Sequence, residues 1–170
     1  MKIEQVTCCP TAGWKTHRST LAGQAPQFVL AFGGRKLLED ATCFQTLRIR
    51  YPLAHIILSS TSGEITDTEV TEDQLTVTAV ALDKTRIACA ARTIRNSAES
   101  HALGAELARQ LNGPELVHVF IVADGQLTNG TELSRGLSEN LAAGVMLTVG
   151  VADTCPELGP SCPGLVADTT

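Results

Sequence analysis

Two short runs gather the residue types that could bind or transform a small molecule. The first, SSTSGE from Ser59 to Glu64, puts four hydroxyls, one glycine and one carboxylate into six residues. The second, DGQLTNG from Asp124 to Gly130, combines a carboxylate, two amides, a hydroxyl and two glycines. Hydroxyls and backbone N–H groups beside Gly33, Gly63 and Gly125 could hold a carboxylate, and Glu64, Asp124 or Asp153 could hold an ammonium group. That donor set suits an amino acid or a similar small polar metabolite. The candidate ligand-binding residues are Ser60, Thr61, Ser62, Gly63, Glu64, Asp124, Gly125, Asn129 and Gly130. The competing reading is a hydrophilic turn in the first run and an ordinary, well-capped loop in the second.

Catalytic chemistry finds less support. SSTSGE offers serines but no G-x-S-x-G nucleophile elbow, and neither a G-x-G-x-x-G nor a Walker loop occurs. His55 and His118 fall in strand patterns, His101 on a helix and His17 near the N-terminus, with no carboxylate pair placed for acid–base work. The expectation is a protein that is not an enzyme and uses no cofactor. Cys8, Cys9, Cys155 and Cys162 lie near the chain ends without a C-x-x-C spacing, so no metal site is expected. Cys43 and Cys89 sit in apolar patterns and read as core thiols.

The elements around the two runs predict how they would be held. Val117 to Ala123 is an apolar, β-branched run that suits a strand covered on both faces. Asp124-Gly125 breaks it. Asn129 then reads as a helix N-cap, with Glu132 completing an N-x-x-E capping box. Leu133, Leu137 and Leu141 form the apolar edge, and Ala142-Ala143-Gly144 the stop. Upstream, Gln27 to Phe32 predicts a strand ending at Gly33-Gly34, followed by a helix over 37–51 that Pro52 terminates. His55 to Leu58 predicts the strand that runs into the first polar cluster. Gln74 to Leu82 and Arg86 to Ile94, linked by Asp83-Lys84-Thr85, predict an antiparallel hairpin. Ser97 is the expected cap of a helix to Leu111, and Val145 to Val151 is a last strand.

The resulting fold class is α/β: a mixed, mainly parallel sheet with two βαβ units around a β-hairpin, helices packed on the sheet. Val29 to Gly63 and Val119 to Asp153 share one plan and form a weak pseudo-repeat. Right-handed crossovers in one sheet would bring both polar clusters, Gly33-Gly34 and Gly150 to Asp153 to a common rim. Residues 1–153 read as one domain. Within it, residues 1–26 form an extended arm pinned by Trp14, with a short strand at Lys2 to Thr7. Residues 154–170, rich in Pro, Gly and Cys, read as a loose tail.

Composition narrows the partners. The 170 residues are 44% hydrophobic and 18% charged, enough apolar content for a folded core. A net charge of -5, without any basic block, argues against nucleic acid and anionic membranes. No run is apolar enough for a membrane span, and the N-terminus lacks the apolar core of a signal peptide. A cytoplasmic protein with reduced thiols is expected.

MKIEQ with AGW, STSGEI at Ser60 to Ile65, and DGQLTNGTELSRGL at Asp124 to Leu137 resemble, in order and spacing, the N-terminal half of the FIST domain. The resemblance spans roughly residues 1–153. It implies a sensory module of bacterial signal transduction that binds small ligands such as amino acids. FIST domains can be joined to kinase, chemotaxis or cyclase output domains. The resemblance transfers the two motif loops and no catalytic residue. The family continues with a glycine-rich GGlaGDg segment and a second half, whereas this chain reads VGVADTCPELGPSCPG. Without an output domain, signalling is expected to pass through a protein partner. Without its other half, the domain would expose apolar surface that a second copy could cover in a homodimer.

Overall fold

The computed structural model describes residues 1–9, 12–66, 68–72 and 74–152, and the backbone of 165–169. Asp153, Cys155, Cys162 and, apart from those backbone positions, the predicted tail lie outside the described residues. The chain forms two compact units, residues 1–83 and residues 84–152 with 165–169.

In the first unit, β1 (Lys2–Cys9) and β2 (Gly13–Ser19) pair antiparallel, so the expected arm is a hairpin built into a sheet. Trp14 does anchor it: the ring packs on the core, with the Arg50 guanidinium 4.7 Å from its centroid. β3 (Phe28–Gly33) and β4 (His55–Ser60) run parallel. Parallel neighbours need a long crossover, supplied here by α1 (Arg35–Leu38) and α2 (Ala41–Arg50). These replace the single helix predicted over 37–51. The break comes where the Asp40 side chain accepts the Thr42 N–H at 2.9 Å and starts a new helix. A small hairpin follows, β5 (Glu64–Thr66) with β6 (Glu69–Thr71), and then β7 (Leu75–Ala81).

The five-stranded sheet has the order β2-β1-β7-β3-β4. β7 lies at its centre, antiparallel to both β1 and β3. That placement overturns the mainly parallel sheet, because β3 and β4 are the one parallel pair of neighbours among the described strands of this sheet. It also removes the predicted hairpin of Gln74 to Leu82 with Arg86 to Ile94. Both edges of β7 are already paired within this unit. Val6, Val29, Ala31, Leu47, Leu58, Val77 and Ala79 are fully buried between this sheet and its helices. Cys43 packs against that core, and burial first, then the neighbouring Cys8, pushes its thiol up to about 11.

The second unit has its own sheet, order β10-β9-β11-β8. It comprises β8 (Arg86–Cys89), β9 (Leu116–Asp124), β10 (Met146–Ala152) and β11 (Leu165–Thr169). β9 and β10 are parallel, joined through α4 (Gly130–Ser138), while β11 lies antiparallel between β9 and β8. The pseudo-repeat is therefore physical: β3 and β9 each have one parallel and one antiparallel neighbour. The single sheet that would gather all four strand ends at one rim does not form.

α3 (Ser100–Leu111) follows a single 3-10 turn, Ser97–Glu99. The cap of that turn is Asn96 and not Ser97, since the Asn96 side chain accepts the Ala98 N–H at 3.1 Å. α3 and α4 meet main chain to main chain at Gly104 and Gly136. A Cβ on Gly104 would collide with the Leu133 carbonyl, and one on Gly136 with the His101 carbonyl. Leu107, Ala108, Leu133 and Leu137 carry the pair onto Val119 and Ile121 of the sheet. α4 ends at Ser138, before the predicted stop, and Gly144 takes a φ of 92° in the turn into β10. Among the described residues no helix is long and apolar enough to cross a membrane.

Candidate functional site

The nine candidate residues divide between the two units. Ser60 to Glu64 connect β4 to β5 in the first. The ladder of β3 with β4 extends one residue past Ser60, because the Thr61 N–H donates to the Gly33 carbonyl at 3.1 Å. Gly33 is tightly packed there, with a Cβ position 3.2 Å from Leu75 Cδ1. The chain then turns through the exposed Ser62 and re-enters at Glu64.

The β5–β6 hairpin is inside out. Glu64 is 2% exposed and Thr66 4%, whereas Ile65 is 70% exposed and its cross-strand partner Val70 73%. Strand alternation fixes this inversion, since Glu64 and Thr66 share one face and Ile65 takes the other. The hydrophobic effect alone would turn the hairpin over, so the interior beneath it must be polar. The contacts bear this out. The Thr61 hydroxyl donates to Glu64 Oε1 at 2.7 Å, and the Thr66 and Thr76 hydroxyls share a hydrogen bond of 2.9 Å. The Thr71 hydroxyl donates to the Glu64 carbonyl at 3.4 Å, and Gln74 Nε2 donates to Thr71.

One atom in this group has no partner. Glu64 Oε2 is buried and accepts no hydrogen bond from the described residues. A buried polar group without a partner costs about 1–3 kcal/mol, and more if charged.

Sequence reading identified Thr61 and Glu64 but missed Thr66, Thr71, Gln74 and Thr76. Thr76 did carry a signal. With Thr78 it is one of two polar residues in a central strand that is otherwise apolar, and it is only 6% exposed.

The other four candidates, Asp124, Gly125, Asn129 and Gly130, form the link from β9 into α4, and most of their polar groups are already engaged. Asp124 Oδ1 accepts the N–H groups of Gln126 and Leu127, both at 2.9 Å, and closes its own turn. The Gly125 N–H donates to the Ala152 carbonyl at 2.7 Å, and a Cβ there would stand 2.5 Å from that oxygen. Asn129 Oδ1 accepts the Glu132 N–H at 3.2 Å, the predicted cap. The reciprocal half of the capping box is absent. The Asn129 N–H donates instead to Ser100 Oγ at 2.9 Å, and Glu132 pairs with Arg135 at 2.7 Å. Gly130 opens the helix. Thr128 Oγ1 is the remaining buried oxygen of this loop without a partner among the described residues.

A third polar group, on the first unit, is fully paired. Glu4 Oε2 accepts from the Tyr51 hydroxyl at 2.7 Å and from Arg50 Nη2 at 3.0 Å. Burial raises the Tyr51 hydroxyl first, and the bond to Glu4 adds to it, to about 12. Among the described residues no three His, Cys, Asp or Glu side chains are grouped to hold a metal.

No curated protein and no solved structure matches the chain. The FIST N domain family does, over residues 27–153. That span contains both polar loops and both βαβ units. The chain belongs to the FIST N domain family, a sensory domain of signal transduction.

Proposed function

We propose that this chain is a cytoplasmic, non-enzymatic module that binds a small polar ligand, an amino acid or similar metabolite, at the β4–β5 connection. It passes the signal to a separate protein partner. Glu64 Oε2 carries the reading: a buried acceptor among hydroxyls, under a hairpin that turns its polar residues inward. A buried polar group without a partner calls for an explanation, and a bound ligand is one. The Asp124–Gly130 loop shapes its own unit and takes no ligand in this reading. Thermal unfolding against the common L-amino acids tests it. At least one of them should raise the midpoint by mass action, and a midpoint unmoved by all of them would remove the proposal.

A second reading, an interaction or dimerisation domain without ligand, is favoured by β10. Among the described residues it is an outer strand, has no charged side chain, and leaves Met146 and Val151 65% and 54% exposed. Edges of that kind invite pairing with another chain. A dimer by sizing chromatography, with no ligand response, would support it.

A further inference from the structure

We infer that the outer face of the β5–β6 hairpin docks a basic, extended segment of a partner protein, with Ile65 and Val70 as the apolar anchor. This gives the protein partner of the reading above a surface and a chemistry, and it stands whether or not a ligand binds to the chain.

The hairpin's alternation leaves an apolar pair in solvent. Ile65 and Val70 face each other across the ladder, and both are exposed. Two β-branched side chains side by side on an open sheet face are an anchor that a partner can cover. β5 and β6 make a two-stranded sheet, and among the described residues neither has a second hydrogen-bonded strand beside it. Two strands alone are marginal, and an extended peptide can supply a third.

Charge selects the occupant. Residues 60–74 contain Glu64, Asp67, Glu69, Glu72 and Asp73 and no lysine or arginine. Of the chain's 18 acidic residues, the other 13 match its 13 lysines and arginines in number, so the net charge of -5 belongs to this one stretch. Glu69 and Glu72 are exposed, and neither takes part in an ion pair among the described residues. A negative surface disfavours nucleic acid and anionic membranes, and it repels the same hairpin of a second copy. What it attracts is a cationic polypeptide. Laid along β6, such a segment points alternate side chains to opposite faces. Its apolar residues extend the row Ile65–Val70, and its basic residues come up beside Glu69.

The test uses the intact chain and a fluorescein-labelled nonapeptide of alternating lysine and valine, read by fluorescence polarisation at about 0.15 M salt. That peptide should bind. A version with serine for valine should bind about 10-fold more weakly, and one with glutamate for lysine should not bind. Ile65→Ser with Val70→Ser should also weaken the lysine–valine peptide about 10-fold. Glu69→Lys with Glu72→Lys should do so by about 10-fold or more. Glu106→Lys with Glu115→Lys makes the same change in net charge at exposed positions of the second unit and should leave binding within about 2-fold. Three results would overturn the docking surface: no binding of the lysine–valine peptide, equal binding of the serine or glutamate version, or equal losses from the two charge reversals. A dimer of the unmodified chain that Ile65→Ser with Val70→Ser dissociates would overturn it in favour of a second copy. Each of these leaves ligand binding to its own thermal test. The comparison among peptides on the unmodified chain decides the matter even if a variant fails to fold.

Discussion

The two βαβ units share a plan and treat their polar loops in opposite ways. In the second unit, Asp124, Gly125 and Asn129 spend their groups on the turn, on β10 and on the ends of two helices. In the first, the residues after β4 build a hydroxyl-lined interior around a carboxylate that keeps one oxygen unsatisfied. Each loop keeps one buried oxygen without a partner among the described residues, but in the second it is a neutral hydroxyl, Thr128 Oγ1, and in the first a carboxyl oxygen, Glu64 Oε2. Candidate residues that look alike in a sequence are separated by this accounting of donors and acceptors.

The largest expected effect lies on the structural side of that comparison. Gly136→Ala puts a methyl group into the His101 carbonyl and should cost about 3 kcal/mol or more, read as a drop in the denaturant midpoint. A change within experimental error would mean that the two helices have room to part. Asn129→Ala comes next. It removes the cap of α4 and should cost about 1 kcal/mol, while any ligand response tied to Glu64 stays intact. A lost ligand response in a stable Asn129→Ala protein would break the division of labour between the loops.

Glu64→Gln should go the other way in ligand-free solution. With an unsatisfied carboxylate replaced by a neutral amide, the midpoint should hold or rise by up to about 1 kcal/mol equivalent. A fall of twice that size would give Glu64 a structural role and close the gap between the units. The smallest effect concerns Glu4. Burial pushes its carboxyl up, but the Tyr51 and Arg50 hydrogen bonds and the Arg50 charge outweigh it, leaving it below the ordinary 4.5. A depressed folded value stabilises above the unfolded value and is lost as pH falls through the folded one. Glu4→Gln should therefore flatten the acid loss of stability below pH 4.5, by under about 1 kcal/mol. An unchanged acid limb would show that the pair contributes nothing.

Local features of this fold were legible because they depend on local chemistry. The apolar runs at Val29 and Val119 and the cap at Asn129 follow from neighbours in the chain. Strand partners do not. Nothing near Leu75 to Ala81 says that β7 will sit between β1 and β3, because β1 lies some seventy residues away. The same holds for Gly104 and Gly136, whose reason is the opposing helix backbone. The site was half visible for the same cause. Thr61 and Glu64 stand in one turn, whereas Thr66 meets Thr76 only once the small hairpin folds back over β7.

The sheet orders bear on where this domain begins and ends as a physical object. The family match starts at residue 27 and stops at 153, which leaves out β1 and β11. Both are interior strands, β1 between β2 and β7 and β11 between β9 and β8. A chain trimmed to the matched span would lay bare one whole edge of β7, detach β8 from β9 and delete the fully buried Val6. The span matched by the family is here smaller than the sheets to which its strands belong.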